Sequence, residues 1–146
     1  MSRLVRRFAL GLSLLIVAAA TVGRADAARQ PWSQAEVVGL TEQLSKALDE
    51  LSADPGLRAQ QTTAYQQRKH EAAIAAVKQL RPRVADLRER VASGSDRDST
   101  RPYFDLVAEL REEIADYAAE SWLPDSTRAK AVHVRSVFDR LARYYP

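Results

Sequence analysis

The apolar residues of this chain recur at steps of three and four positions, and this spacing limits the fold more than any other feature of the sequence. The clearest seam consists of Val77, Leu80, Val84, Leu87 and Val91. Residues three and four positions apart share one face of an α-helix, whereas a half-buried strand requires strict alternation of apolar and polar residues. No sustained alternation of that kind occurs after residue 27. We therefore predict an all-α fold.

Breaks in this pattern divide the chain into four predicted helices. The first spans residues 33–51 and begins with a capping box made by Ser33 and Glu36. The segment "ADPG" then interrupts the helix, because proline and glycine favour turns. The second predicted helix is long and runs from Leu57 to Val91.

The seam of the second helix passes through Pro82 without a change of register. A proline inside a helix removes one hydrogen bond, so we predict a kink near Pro82 and not an end. A polar loop at residues 93–100 follows, and the third helix is expected to start near Pro102, since proline is favoured in a first turn. Its apolar stripe is Phe104, Val107, Leu110, Ile114, Tyr117 and Trp122. The segment "LPDS" at residues 123–126 should end this helix and cap a fourth that runs to the C-terminus.

The net charge alternates in sign from one predicted helix to the next. It is −3 for residues 28–56, +5 for residues 57–92, −6 for residues 103–125 and +4 for residues 126–146. Alternating signs make every neighbouring pair attractive in an up-down-up-down bundle, and the short first and third connections also favour antiparallel neighbours. We therefore predict an antiparallel up-down-up-down four-helix bundle. Four solvated faces with an accidental charge bias are the alternative interpretation.

Residues 1–27 have the layout of a secretory signal peptide. Three arginines precede the apolar run "FALGLSLLIVAAA", and Ala25 and Ala27 supply the small residues that a signal peptidase requires. The run is shorter than the roughly 20 residues that cross a bilayer, although an uncleaved anchor is the alternative. We predict cleavage after Ala27, which leaves residues 28–146 as one domain that is periplasmic or secreted.

Cleavage would remove the basic character of the chain. Residues 1–27 contain four arginines and one aspartate, so the remainder has 18 basic and 18 acidic residues. A neutral chain gives no support for nucleic-acid binding or for stable association with a membrane. The sequence has no cysteine, and it has no nucleophile triad, phosphate-binding glycine loop or metalloprotease motif. We therefore predict that this protein is not an enzyme.

Metal binding is not expected either. The only histidines are His70 and His133, and neither belongs to a Glu-x-x-His pair. A metal site needs several converging ligands, which this spacing does not supply. We predict that His70 faces the interior of the bundle and that His133 flanks the apolar stripe of the fourth helix.

The predicted topology brings many aromatic residues to the end of the bundle that holds both termini. These residues are Trp32, Tyr103, Phe104, Tyr144 and Tyr145. Aromatic side chains supply a large buried area, and their flat faces also suit a flat ligand. This end is therefore either a closed core or a pocket for a flat apolar molecule.

The stretch "VVGLTEQLSKAL" at residues 37–48 and the Tyr144–Tyr145 pair resemble parts of the first and last helices of the cytochrome b562 family. That family consists of exported up-down four-helix bundles. Its members hold haem b between a methionine early in the first helix and a histidine late in the fourth. The resemblance places the methionine position on Val37 and the histidine position on Tyr145, so both ligands are missing here.

The resemblance, with both haem ligands missing, gives the functional expectation. We expect a non-catalytic binding or interaction module without the family's haem ligands, whose partner is a periplasmic protein or a flat apolar ligand. No cofactor is expected. The alternative is a haem-b electron carrier or haem-sequestering protein that uses Tyr145 as a phenolate ligand. The candidate site residues are Tyr145, Val37, Tyr144, Phe104 and Trp32.

Overall fold

The computed structural model describes residues 30–119 and 121–146. The predicted signal peptide, residues 1–27, lies outside the described residues. Within those two ranges the chain forms four α-helices and one short 3-10 helix, and it contains no strand. The elements are α1 (Gln34–Ser52), the 3-10 helix (Pro55–Arg58), α2 (Ala64–Ala92), α3 (Arg97–Ala118) and α4 (Asp125–Ala142). The prediction of an all-α fold with four helices is confirmed.

The predicted apolar stripes form the core of the protein. The five seam residues of α2 and the five stripe residues of α1 are each no more than 5% exposed. Burying one such side chain stabilises the fold by about 1.5–3 kcal/mol, so these two helices alone account for a large part of the hydrophobic driving force. The α1 residues are Val37, Leu40, Leu44, Leu48 and Leu51.

The four helices share this core through a chain of contacts. α1 packs against both α2 and α4, and α2 packs against α3. α3 and α4 meet through the rings of Phe104 and Phe138, whose centroids are 5.6 Å apart. An ion pair between Arg111 and Asp139 at 3.4 Å joins the same two helices.

The second helix begins later than predicted. The Asp54 carboxylate accepts a hydrogen bond from the Gly56 N–H at 2.8 Å, and this turn opens the 3-10 helix. The Thr63 hydroxyl then accepts from the Gln66 N–H at 3.1 Å and caps α2. Since the two caps define two separate elements, the predicted start at Leu57 is wrong. Pro82 lies inside α2, which continues to Ala92.

The third helix begins earlier than predicted. The Asp96 carboxylate accepts from the Ser99 N–H at 2.9 Å, so the helix starts at Arg97. An aspartate at this position satisfies a free N–H group at the start of the helix, and Pro102 is accommodated in the second turn. The predicted start near Pro102 and the predicted loop through residue 100 are therefore wrong.

The end of the third helix also differs from the prediction. α3 ends at Ala118, so Trp122 lies outside the helix and is 58% exposed. Its assignment to the buried stripe is wrong, because the chain leaves helical geometry before it reaches this residue. The side chain of Tyr117 lies outside the described part of the chain.

The predicted caps of α1 and α4 are not formed. Ser33 is the residue before α1, but its side chain makes no capping hydrogen bond. The Glu36 carboxylate accepts from the Tyr144 hydroxyl instead, which is a tertiary contact. α4 also begins without a side-chain cap, so the capping role predicted for residues 123–126 is wrong.

Candidate functional site at the aromatic end

Four aromatic rings from three parts of the chain pack against one another, and we call them the aromatic cluster. They are Trp32, Phe104, Phe138 and Tyr145. Tyr145 lies between two of the other rings. Its ring stacks on that of Phe104 with 4.2 Å between centroids, and it meets the ring of Trp32 edge-on at 5.6 Å. Both arrangements are favourable for aromatic pairs because ring edges and faces carry opposite partial charge.

Hydrogen bonds help to position two of these rings, those of Trp32 and Tyr145. The Trp32 indole N–H donates to the Gln34 side chain at 3.1 Å, and the Gln34 amide in turn donates to the Val91 carbonyl. Beyond the end of α4, the N–H of Tyr145 donates to the Ala142 carbonyl at 3.0 Å. These bonds hold Trp32 at the entry of α1 and Tyr145 in a final turn after α4.

The Tyr145 hydroxyl is paired inside the protein. It lies 3.0 Å from the Thr100 hydroxyl, and that hydroxyl also lies 2.7 Å from the Asp96 carbonyl. Either hydroxyl can be the donor in the Thr100–Tyr145 pair. Burial raises the pKa of Tyr145, and the Thr100 contact and the nearby Arg97 and Arg101 oppose this rise. The residue is only 5% exposed, so its neutral form is favoured.

Tyr144 turns toward a different helix. Its hydroxyl donates to the Glu36 carboxylate on α1, and its ring is 3% exposed. The hydrogen bond to Glu36 raises the pKa of Tyr144, and burial adds to the rise, while Arg140 and Arg143 oppose it. Tyr144 thus connects the C-terminal segment to α1, and Tyr145 connects it to α3.

The structure brings three of the five candidate residues into ring contact, namely Trp32, Phe104 and Tyr145. Val37 is completely buried and belongs to the same apolar core as Tyr144. As packed, these residues do not fit a haem, because Val37 has no ligand atom and the Tyr145 hydroxyl is already bonded to Thr100. Sequence reasoning missed Thr100. It lies one helical turn before Phe104, so extending the stripe of α3 backward would have found it.

The comparisons with known proteins do not add a relative. No protein-family model, curated protein or solved structure matches this chain. A four-helix fold by itself does not imply a function.

A buried polar network lies at the 3-10 helix, and sequence reasoning missed it as well. The Asp54 carboxylate accepts from Gly56 N–H, from the Thr127 hydroxyl at 2.8 Å and from the Lys130 ammonium. These contacts, the Lys130 bond first, lower the pKa of Asp54 from 3.8 to about 2. The "DPG" turn was visible in the sequence, but its partners on α4 were not.

Two surface grooves flank α1. One, of about 360 Å³, lies between α1 and α4 and includes Glu36, Gly39, Arg140 and Tyr144. The other, of about 410 Å³, lies between α1 and α2. Volumes of this size fall within the range of small-ligand sites, so both are candidates for binding.

The two histidines lie in different environments, one buried and one exposed. His70 is 3% exposed, as predicted, and its Nε2 donates to the Leu57 carbonyl at 2.6 Å, whereas His133 is exposed. In residues 30–119 and 121–146, no group of three or more His, Cys, Asp or Glu side chains is arranged to hold a metal ion. None of the helices in these ranges has the length and apolar character needed to cross a membrane.

Proposed function

We propose that this chain is an exported, non-catalytic four-helix protein that acts as a binding or interaction module. The observation that carries the proposal is the packing of Tyr145. Its ring lies between Phe104 and Trp32, and its hydroxyl is bonded to Thr100. A cytochrome b562-like protein would need a haem ligand at this position, whereas this chain places a stacked core residue there.

The haem alternative requires a different state of the same residue. A phenolate ligand needs Tyr145 to lose its proton, but burial raises the pKa of Tyr145. Iron would also have to replace the Thr100 contact and displace the ring of Phe104. The packing therefore favours the binding module over the carrier, and haem binding becomes the outcome that would overturn the proposal.

We further propose the antiparallel up-down-up-down arrangement. Contacts between α1 and the fourth helix support it, because positions later in α1 meet positions earlier in α4. Glu36 pairs with Tyr144, Gln43 accepts from Arg140 at 3.3 Å, and Asp54 just after α1 pairs with Lys130.

The same trend holds between α1 and α2. Gln34 bonds to Val91 near the end of α2, and Asp49 accepts from Arg81 Nε at 2.9 Å. A bend of α2 at Pro82 belongs to this proposal, since proline cannot donate to the carbonyl four residues before it.

The proposed location and partners follow from the sequence. A cleaved signal peptide would deliver residues 28–146 to the periplasm or the medium with no net charge. The partner in this proposal is a periplasmic protein or a small ligand held in a surface groove. Nucleic acid is not proposed, because the neutral chain offers no overall basic field.

A hemin titration tests the proposal. The exported chain is purified and titrated with hemin, and the Soret band is followed. We expect no saturable shift for the wild type or for Tyr145→Phe, because the interior position is already filled. A saturable shift in the wild type that Tyr145→Phe abolishes would assign the chain to haem binding instead. A Tyr65→Phe variant is the matched control, since Tyr65 is 49% exposed.

A further inference from the structure

The groove between α1 and α2 carries an excess of positive charge. It is about 410 Å³ in volume and opens to solvent between the two helices. Its polar and small lining residues are Ser45, Asp49, Lys78, Arg81, Ala85 and Arg88. Three of these are cations and only Asp49 is an anion, so the lining has a net charge of about +2 at neutral pH.

The three cations lie on one side of α2. Lys78, Arg81 and Arg88 follow one another at steps of three and seven residues, which is the spacing of a single helical face. Ala85 occupies the intervening position on that face, and its short side chain leaves the groove open. A long side chain at this position would close the space between Arg81 and Arg88.

Two of the cations have no acidic partner. Arg81 donates to the Asp49 carboxylate, with 2.9 Å between Nε and Oδ1, so these two charges compensate each other. Lys78 and Arg88 make no ion pair with any carboxylate in the part of the chain that the structure describes. The uncompensated charge of the groove is therefore concentrated on these two side chains.

The α1 wall supplies an unused hydroxyl. Thr41 and Ser52 donate to helix carbonyls at 2.8 Å and 2.7 Å. Ser45, between them, has no hydrogen-bond partner among residues 30–119 and 121–146, and it lines the groove. This hydroxyl lines the same groove as the two unpaired cations, so it can donate a further hydrogen bond to an oxyanion held there.

We propose that this groove binds a phosphoryl group that carries at least two negative charges. Arg88 supplies a planar fork that matches phosphate oxygens, Lys78 supplies a compact charge, and Ser45 donates a hydrogen bond. A dianion neutralises the excess of about +2, whereas a single carboxylate leaves one charge uncompensated. This inference rests on the proposed binding role and adds a site and a ligand class to it.

The first test is a titration with inorganic pyrophosphate at low ionic strength, followed by NMR chemical shifts of the full exported chain. We expect saturable binding, with the largest shifts at residues 45, 78 and 88. Acetate at the same ionic strength should bind at least about tenfold more weakly, because charge-assisted contacts to a monoanion are fewer.

Variants that each remove one positive charge distinguish a specific binding site from general electrostatic attraction. Arg88→Gln and Lys78→Gln should each weaken pyrophosphate binding about tenfold, which corresponds to the loss of one charge-assisted contact. Arg83→Gln is the matched control, since Arg83 is an exposed cation on α2 that does not line the groove. It should change binding by less than about twofold, because solvent and salt screen distant surface charges.

The possible outcomes decide the proposal and the source of the phosphoryl group. Vesicles of phosphatidylcholine with phosphatidic acid form the second arm. Vesicle binding that pyrophosphate competes away indicates a lipid headgroup, whereas pyrophosphate binding alone indicates a soluble phosphorylated ligand. Equal weakening by Arg83→Gln and Arg88→Gln, or no saturation, overturns the inference. Either result leaves the hemin titration unchanged, so it would not by itself refute the broader binding role.

Discussion

The ring of Tyr145 lies flat against the ring of Phe104, with 4.2 Å between their centroids and 4° between their planes. The contact joins the segment after α4 to the beginning of α3. The Thr100 hydroxyl adds a hydrogen bond to the same tyrosine at 3.0 Å. Tyr145 therefore holds the C-terminal segment against α3, and we expect its ring to contribute more to this role than its hydroxyl.

Substitution of Tyr145 tests that division. We expect Tyr145→Ala to lower the free energy of unfolding by about 3–5 kcal/mol, because it removes a buried ring and leaves a cavity. Tyr145→Phe keeps the stacking and should cost only about 0.5–1.5 kcal/mol. Denaturant unfolding curves measure both values. As a control, Tyr65→Ala at a half-exposed site should cost about 0.5 kcal/mol or less, and a similar cost for Tyr145→Ala would contradict this role.

Two glycine-to-alanine changes should have opposite effects. At Gly56, an added Cβ would lie 1.9 Å from the Thr127 hydroxyl oxygen, so Gly56→Ala must disrupt the polar network and destabilise the protein. At Gly39, an added Cβ meets no atom within 4 Å. Since Gly39 lies inside α1, Gly39→Ala should raise the free energy of unfolding by up to about 1 kcal/mol. Thermal unfolding of the two variants side by side checks the pair, and a loss of stability in Gly39→Ala would be the contrary result.

The Asp54 network should make the free energy of unfolding depend on pH in the acidic range. The folded-state pKa of Asp54 is lowered from 3.8 to about 2, so its stabilisation is fully present above pH 3.8 and is lost as the pH falls through about 2. We expect Asp54→Asn to be less stable than the wild type at neutral pH, and the difference to shrink as the pH approaches 2. Urea midpoints at several pH values measure this trend.

A second carboxylate provides the control for that experiment. Asp86 is exposed on α2 and makes no ion pair within the described ranges. Asp86→Asn should therefore change the free energy of unfolding by about 0.5 kcal/mol or less at neutral pH. A difference for Asp54→Asn that stays constant with pH would show that its carboxylate is not held in the ionised form.

The contact between Glu36 and Tyr144 should be visible at alkaline pH. The hydrogen bond to Glu36, with burial as the second cause, raises the pKa of Tyr144 above its usual 10.0. The stabilisation of the fold by the neutral Tyr144 hydroxyl is fully present below pH 10.0. It is lost as the pH rises through the raised pKa of Tyr144. Glu36→Gln removes the negative charge, so we expect Tyr144 to titrate at lower pH in that variant.

Phenolate absorbance and tyrosine NMR signals follow this titration. Glu42→Gln removes a charge from an exposed position of α1 that has no ion pair in residues 30–119 and 121–146, and it should leave the titration unchanged. If both variants titrate together, charge on α1 in general and not the specific contact controls Tyr144.

The outcome for the helices shows which sequence signals were strong. The seams of α1 and α2 were predicted residue by residue, because their period reports which side of a helix is buried. The predicted starts of α2 and α3 are wrong, because the side-chain caps made by Thr63 and Asp96, and not the nearest prolines, set these boundaries. Asp96 and Thr63 decide those boundaries by satisfying N–H groups that the helix itself leaves free.

The candidate site was predicted only in part. Trp32, Phe104 and Tyr145 do meet, as the aromatic pattern indicated. The hydrogen-bonding partner of Tyr145 cannot be read from the sequence, since the sequence pattern predicts a loop at Thr100. The capping role predicted for Glu36 is also wrong. Its spacing from Ser33 fits a capping box, but its carboxylate accepts a hydrogen bond from the distant Tyr144 instead.

The amino-acid sequence by itself determined that this protein is helical and which faces of its helices are buried. Both properties arise from neighbours three and four positions apart, so they are local. Only the tertiary structure decided which polar groups are paired. The Thr100–Tyr145, Asp54–Thr127 and Glu36–Tyr144 contacts join residues 45, 73 and 108 positions apart. Such pairs form only when the packed core brings helices together, and the need to satisfy buried polar groups then selects the partners.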